Sequence, residues 1–272
     1  MFSAGHLMWI GVSVLIIIAG SIYCLRQRPP IKKLMTVCLA IGAVSEVIKV
    51  FSVADIVPMV DAVIVEKDGK QVIDWVATGR YTPYLAKEHL PLELCSLFLF
   101  FMLLAIVMND GIWKKRLYSL MFVAGTIGGV MGIVLASITR YYDTPLSYFT
   151  SARAWQFFLY HSMLVIIGIY LGYGGESGLE FGDWKKAVCC LVALDIPSFY
   201  LNSALSSEIY VADKVVGVTH SINFFSTYVN PLGLVLTEKW QWIVYLIIRL
   251  VLAGLLILLL FATLKLRRKE QV

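Results

Sequence analysis

The sequence predicts an all-α polytopic membrane protein of about seven transmembrane helices, with its N-terminus outside, its C-terminus cytoplasmic and a small hairpin in an outer loop. Three observations carry this. Hydrophobic residues make up 59% of the 272 residues and charged residues only 15%, against an apolar fraction of roughly 45–50% in soluble domains. Apolar runs of spanning length recur, roughly at 7–25, 34–53, 89–108, 117–138, 154–173, 187–205 and 240–264. The basic residues divide unevenly: thirteen lie on the short segments between spans 1–2, 3–4 and 5–6 and on the tail, and eight are spread over the long loops opposite. Lys and Arg accumulate on the cytoplasmic side, which sets the orientation. The net charge of +5 is then a consequence of topology, and a nucleic-acid surface is not needed. No basic residue precedes span 1, which argues against a cleaved signal peptide. The expected organisation is a single transmembrane domain over 1–272, with an outer loop at 54–87.

Span 1 has no Asp, Glu, His, Lys or Arg between Leu7 and Leu25 and reads as a packing and anchoring helix. Span 2 carries Ser45, Glu46 and Lys49 at helical spacing. Charges at that depth face the bundle interior and pair. An internal Glu46–Lys49 pair is the simple reading, and a bridge from Glu46 to Arg249 of span 7, at similar depth, competes with it. In the first outer loop, 62–73 reads as strand, Asp-Gly turn, strand, a hairpin that would cover the outer face.

Span 3 opens on His89-Leu90-Pro91-Leu92-Glu93-Leu94-Cys95-Ser96. Proline suits a first helical turn, so the helix start is expected near Leu90, with Cys95 just over one turn inside. Amides left unpaired at a helix N-terminus favour a thiolate, which makes Cys95 a candidate nucleophile. Free Cys is also one of the commonest buried small residues, so packing is the competing account. Span 4 contains Gly125, Gly128, Gly129 and Gly132, two overlapping Gly-xxx-Gly pairs that let backbones approach closely. An aromatic outer loop, 141–149, suits the interfacial belt.

Span 5 begins with Arg153 and brings Gln156, Tyr160 and His161 into the outer half of the membrane. His161 lies six residues below Trp155, and Cys95 six below His89, so both sit about 9 Å inside the outer boundary at ~1.5 Å per residue. Equal depth on two helices running the same way is what a thiol–imidazole pair requires. Span 6 carries Asp195 and Asn202 on one face. Asp195 is a candidate to orient the imidazole, and a polar group bonded across helices is the alternative. The outer segment 206–236, with His220 and Asn223, is rich in amides and aromatics. Such backbone re-enters a membrane only where it lines a protein cavity. Span 7 ends in a Lys-Arg-rich anchor. No P-loop, CxxC, HExxH or Gly-x-Ser-x-Gly motif is present, and neither a metal nor a cofactor is expected.

The stretches 89–96 and Gln156-Phe157-Phe158-Leu159-Tyr160-His161, with Leu201-Asn202 and Ile222-Asn223-Phe224, resemble the YwaF-type integral membrane proteins. These bacterial proteins are similar to an animal multi-pass protein regarded as a Cys- and His-dependent phospholipid acyltransferase. The resemblance spans nearly the whole chain. It implies Cys95 as acyl acceptor and His161 as its base. It also implies phospholipid or lysophospholipid as the partner and a bacterial plasma membrane as the location. Glu93 stands where the family has a second histidine, and Lys239-Trp240-Gln241-Trp242 where a Pro-Trp-Pro-Trp is expected. Acyl-CoA does not reach an outward site, so phospholipid becomes the expected acyl donor too, with lipase or thioesterase activity as a side reaction. The remaining polar residues, His89, Glu93, Arg153, Gln156, Tyr160, Asp195, Asn202, His220 and Asn223, are candidates to bind or orient substrate. A transporter or receptor holding a small solute or headgroup in the same polar pocket is the alternative.

Overall fold

The computed structural model describes residues 3–67, 70–136, 144–211, 214–220 and 236–270. Helices α1 (Ala4–Gln27) and α2 (Ile31–Val53) are followed by strands β1 (Asp55–Lys67) and β2 (Lys70–Tyr84), then by α3 (Leu94–Val107). The fourth span is one continuous rod made of α4 (Ile112–Val123), a π-helical turn (Ala124–Gly128) and α5 (Gly129–Val134). Next come α6 (Pro145–Thr150), α7 (Ala152–Tyr173), α8 (Trp184–Leu205), strands β3 (Ser207–Val211) and β4 (Lys214–His220), and α9 (Lys239–Glu270).

Six of the described helical segments are long and apolar enough to cross a membrane, and α3 is shorter. At 14 residues it measures about 21 Å, less than the ~30 Å hydrocarbon core. The sequence places the start of this helix near Leu90; the structure moves it to Leu94. The cause is local. Leu90 precedes a proline and is extended, with φ −59° and ψ 147°, because Pro91 disfavours the helical region for the residue before it. Pro91 and Leu92 therefore form a turn rather than the first helical turn.

The outer hairpin is longer than the pattern at 62–73 suggests. β1 and β2 pair antiparallel from Asp55↔Tyr84 to Lys67↔Lys70, with an irregularity between Pro58 and Val60. The expected Asp68-Gly69 turn lies outside the described residues. In the segment read as re-entrant, 207–220 is a second hairpin, β3–β4, and 221–235 lies outside the described residues.

Helix α7 is the axis of the bundle. Of its apolar stretch 72% is buried, against 11% for α8 and for α9. It packs on α1, α2, α3, the π-helical turn and α5. At one end Trp9 of α1 stacks on Phe158 of α7 with ring centroids 5.1 Å apart, and meets Trp155 edge-on at 4.7 Å. At the other end the Tyr170 hydroxyl donates to Pro29 O, and Glu176 accepts from the Ile31 amide at 2.7 Å, which ties the α1–α2 connection to the end of α7. Glycine sets the approach of the fourth span. A Cβ on Gly125 would lie 2.6 Å from Leu164 O, and one on Gly168 would lie 2.6 Å from Thr126 N. Only glycine at both positions allows the two backbones to touch. Large apolar side chains on the outer surfaces of α1, α2 and α9, including Leu15, Phe51 and Leu259, are exposed, and in an integral membrane protein these faces meet lipid.

Candidate functional site

The late start of α3 puts Cys95 at its second residue rather than a turn inside. Glu93, extended at φ −71° and ψ 152°, is the N-cap, yet its side chain makes no capping bond. Its carboxylate accepts instead from the Cys95 thiol, Sγ to Oε2 at 3.5 Å. The imidazole of His161, on α7, is 5% exposed. Its Nδ1 is 2.8 Å from Phe157 O. A carbonyl oxygen only accepts, so Nδ1 carries the proton and the neutral ring keeps its lone pair on Nε2. The ring of Phe157 packs beside it at 4.2 Å between centroids.

Glu93, Cys95 and His161 line one cavity of about 200 Å³, together with Gly128, Gly132 and Phe157. Its walls are α3 and its lead-in, the fourth span, and α7. Gly132 borders the imidazole edge: a Cβ there would lie 2.7 Å from Nε2. The Gly-xxx-Gly pattern thus does more than bring helices together, since its last member leaves space for the histidine. The π-helical turn lies in the same wall; such turns re-aim the residues after them and recur at functional sites. The cavity sits where two apolar cores meet, one containing Phe157 and Phe158 and the other Tyr160 and Leu164.

Cross-helix hydrogen bonds hold the start of α3. The Tyr160 hydroxyl donates to Cys95 O at 2.7 Å. Lys49 of α2 donates to Ser96 Oγ at 3.3 Å and forms an ion pair with Glu46 at 2.6 Å. Gln156 donates to Ser45 Oγ at 2.8 Å and accepts from Arg153. Sequence reasoning does not single out Ser45, Ser96 and Gly132 as site residues. The spacing of 45, 46 and 49 on span 2 signals a polar face, but it does not say which helix that face meets.

The other candidates lie elsewhere. Asp195 bonds Arg249 of α9 at 2.5 Å, so Arg249 pairs with α8 rather than with Glu46. The site of the expected orienting group on His161 is taken by its own helix, through Phe157 O. Asn202 is fully buried on α8. Span 6, expected to bring Asp195 to the imidazole, contributes no residue to the cavity lining, and the fourth span supplies that wall. A helical wheel gives a residue's face but not the neighbour it meets. His89 sits half-buried in the 3-10 turn Lys87–His89, and His220 ends β4, its backbone paired with Ser207. Asn223 lies outside the described residues. Among the described residues no group of three His, Cys, Asp or Glu side chains is arranged to hold a metal ion.

Among curated proteins and solved structures, no match to the chain is found. One family model, described as the TMEM164 family, matches residues 1–267, and with that match across a bundle of membrane-spanning helices the chain belongs to the TMEM164 family of multi-pass membrane proteins.

Proposed function

We propose that the protein is a membrane-embedded phospholipid acyltransferase or transacylase, working through an acyl-thioester on Cys95 in a site open to the outer leaflet. The observation that supports this reading is the shared cavity: a thiol at a helix start and an imidazole with a free Nε2 line the same 200 Å³ space. Nucleophile and base lining one cavity is the arrangement that covalent acyl transfer needs. Sγ gives up its proton and attacks an ester carbonyl of a phospholipid, the bond to the glycerol oxygen breaks, that oxygen leaves as an alcohol with the proton from the thiol, and the acyl chain remains on sulfur. A lysolipid or alcohol hydroxyl then attacks the thioester. Nε2 of His161 takes that hydroxyl proton and returns it to the departing sulfur. Water in place of the hydroxyl gives slow hydrolysis. Arg153 serves the lipid phosphate at the outer end of α7. With no acyl-CoA outside, phospholipid is the acyl donor and a lysophospholipid the acceptor. A YwaF-type grouping and a bacterial plasma membrane belong to the same proposal.

The test uses purified protein in its native lipid. The expected result is a Cys95-dependent change in acyl composition by mass spectrometry and a hydroxylamine-sensitive acyl adduct. Absence of both from the wild-type protein removes the enzyme reading, and a Cys95→Ser protein equal to wild type in a lipid-linked phenotype favours a carrier or receptor.

A further inference from the structure

We infer that Glu93 is the residue that takes the proton from Cys95 when the acyl-thioester forms, leaving His161 to serve the second half of the reaction. This rests on the reading of Cys95 as nucleophile. Three observations carry it. The acceptor in hydrogen-bond contact with the thiol is the Glu93 carboxylate, at 3.5 Å from Sγ. That carboxylate gives up the bond an N-cap side chain ordinarily makes to the first-turn amides, so its position is not explained by capping. Glu93 also lines the reaction cavity with Cys95 and His161, which lets one carboxylate reach both the thiol and a bound ester.

The proton balance is complete. Glu93 Oε2 accepts the thiol proton as Sγ attacks the carbonyl, and the resulting carboxylic acid delivers it to the glycerol oxygen as the C–O bond breaks. Thiol and ester become thioester and alcohol, and Glu93 ends ionised as it began. In the second half His161 Nε2 carries the proton from the attacking hydroxyl to sulfur. Each half therefore has its own proton carrier, both on the cavity wall. The charged and titratable groups that face this region are Glu46 and Lys49 from α2, and Arg153, Tyr160 and His161 from α7. The fourth span lines the cavity with Ala124, Gly128, Gly132 and Leu135 and adds no titratable side chain there.

The experiment tracks the burst of nitrophenolate when the full-length protein, in phospholipid nanodiscs, meets p-nitrophenyl octanoate. Intact mass reports the acyl adduct. Glu93→Gln is expected to slow the burst about 10²-fold and His161→Gln to slow steady turnover more than the burst. Glu93→His restores the burst with its acid limb moved to higher pH, because an imidazole holds its proton to higher pH than a carboxylate does. A carboxylate that merely neighbours the thiol predicts the opposite, because removing its charge eases thiolate formation. A Glu93→Gln burst as fast as wild type or faster, with Cys95→Ser silent, overturns the Glu93 role and leaves Cys95 intact. An unshifted acid limb in Glu93→His overturns it also, even where Glu93→Gln fails to fold. A burst that persists in Cys95→Ser removes the underlying reading itself.

Discussion

The Tyr160 hydroxyl donates to the backbone carbonyl of Cys95 at 2.7 Å, one residue before the histidine that shares the cavity. The helix that carries the imidazole therefore grips the helix that carries the thiol. This bond fixes α3 by its backbone, which a substitution at Cys95 itself leaves unchanged.

Tyr160→Phe removes that grip at little cost in volume. A neutral hydrogen bond contributes about 1 kcal/mol, and Cys95 O keeps its place in the α3 ladder, so the fold is expected to persist. Acyl transfer is expected to fall about tenfold or more, because small displacements of a reacting group cost more in rate than in stability. Thermal unfolding in micelles and the burst rate, measured on one preparation, check the split. Equal losses in both would make Tyr160 a packing residue only.

Gly132→Ala places a methyl 2.7 Å from Nε2 of His161. The ring is held through Nδ1 by Phe157 O and cannot swing away without losing that bond. The expected outcome is a loss of activity of about 10²-fold, with a stability cost of about 1–3 kcal/mol for overpacking. Gly11→Ala is the control, since a Cβ there meets nothing within 4 Å. It is expected to be neutral or to stabilise α1 by up to about 1 kcal/mol.

The sequence shows depth and periodicity well, and through them the height of each group in the membrane. The Glu46–Lys49 pair and the hairpin are legible from spacing alone, and the equal depth expected for Cys95 and His161 agrees with the cavity they share. Spacing does not give the neighbour that a helix face meets. Arg249 stands as deep as Glu46, yet its partner is Asp195, because α9 packs on α8. The fourth span reaches the site through a π-helical turn, which adds a residue and rotates the helix beyond it, so its glycines look like a packing stripe until one of them borders an imidazole. The start of α3 is displaced by a proline that favours an extended residue before it over a first helical turn. That displacement, from Leu90 to Leu94, moves Cys95 onto the second position of the helix and brings Glu93 onto the thiol.

The pair Asp195–Arg249 separates structural charge from catalytic charge. Asp195 is 9% exposed, and its Oδ1 is buried with no hydrogen-bond partner among the described residues while Oδ2 meets Arg249. Neither residue lines the cavity shared by Cys95 and His161. Removing one member of such a pair leaves the other charge in a medium that solvates it poorly, at about 3 kcal/mol, whereas replacing both by apolar groups of similar size is close to neutral. Asp195→Asn is therefore expected to lower resistance to unfolding in mixed micelles, and Asp195→Leu with Arg249→Met to recover most of that loss. In every variant the burst per folded molecule is expected to match wild type, since His161 takes its tautomer from Phe157 O on its own helix. An Asp195→Asn protein that unfolds normally but has lost its burst would return Asp195 to the reaction, as the group that orients the imidazole.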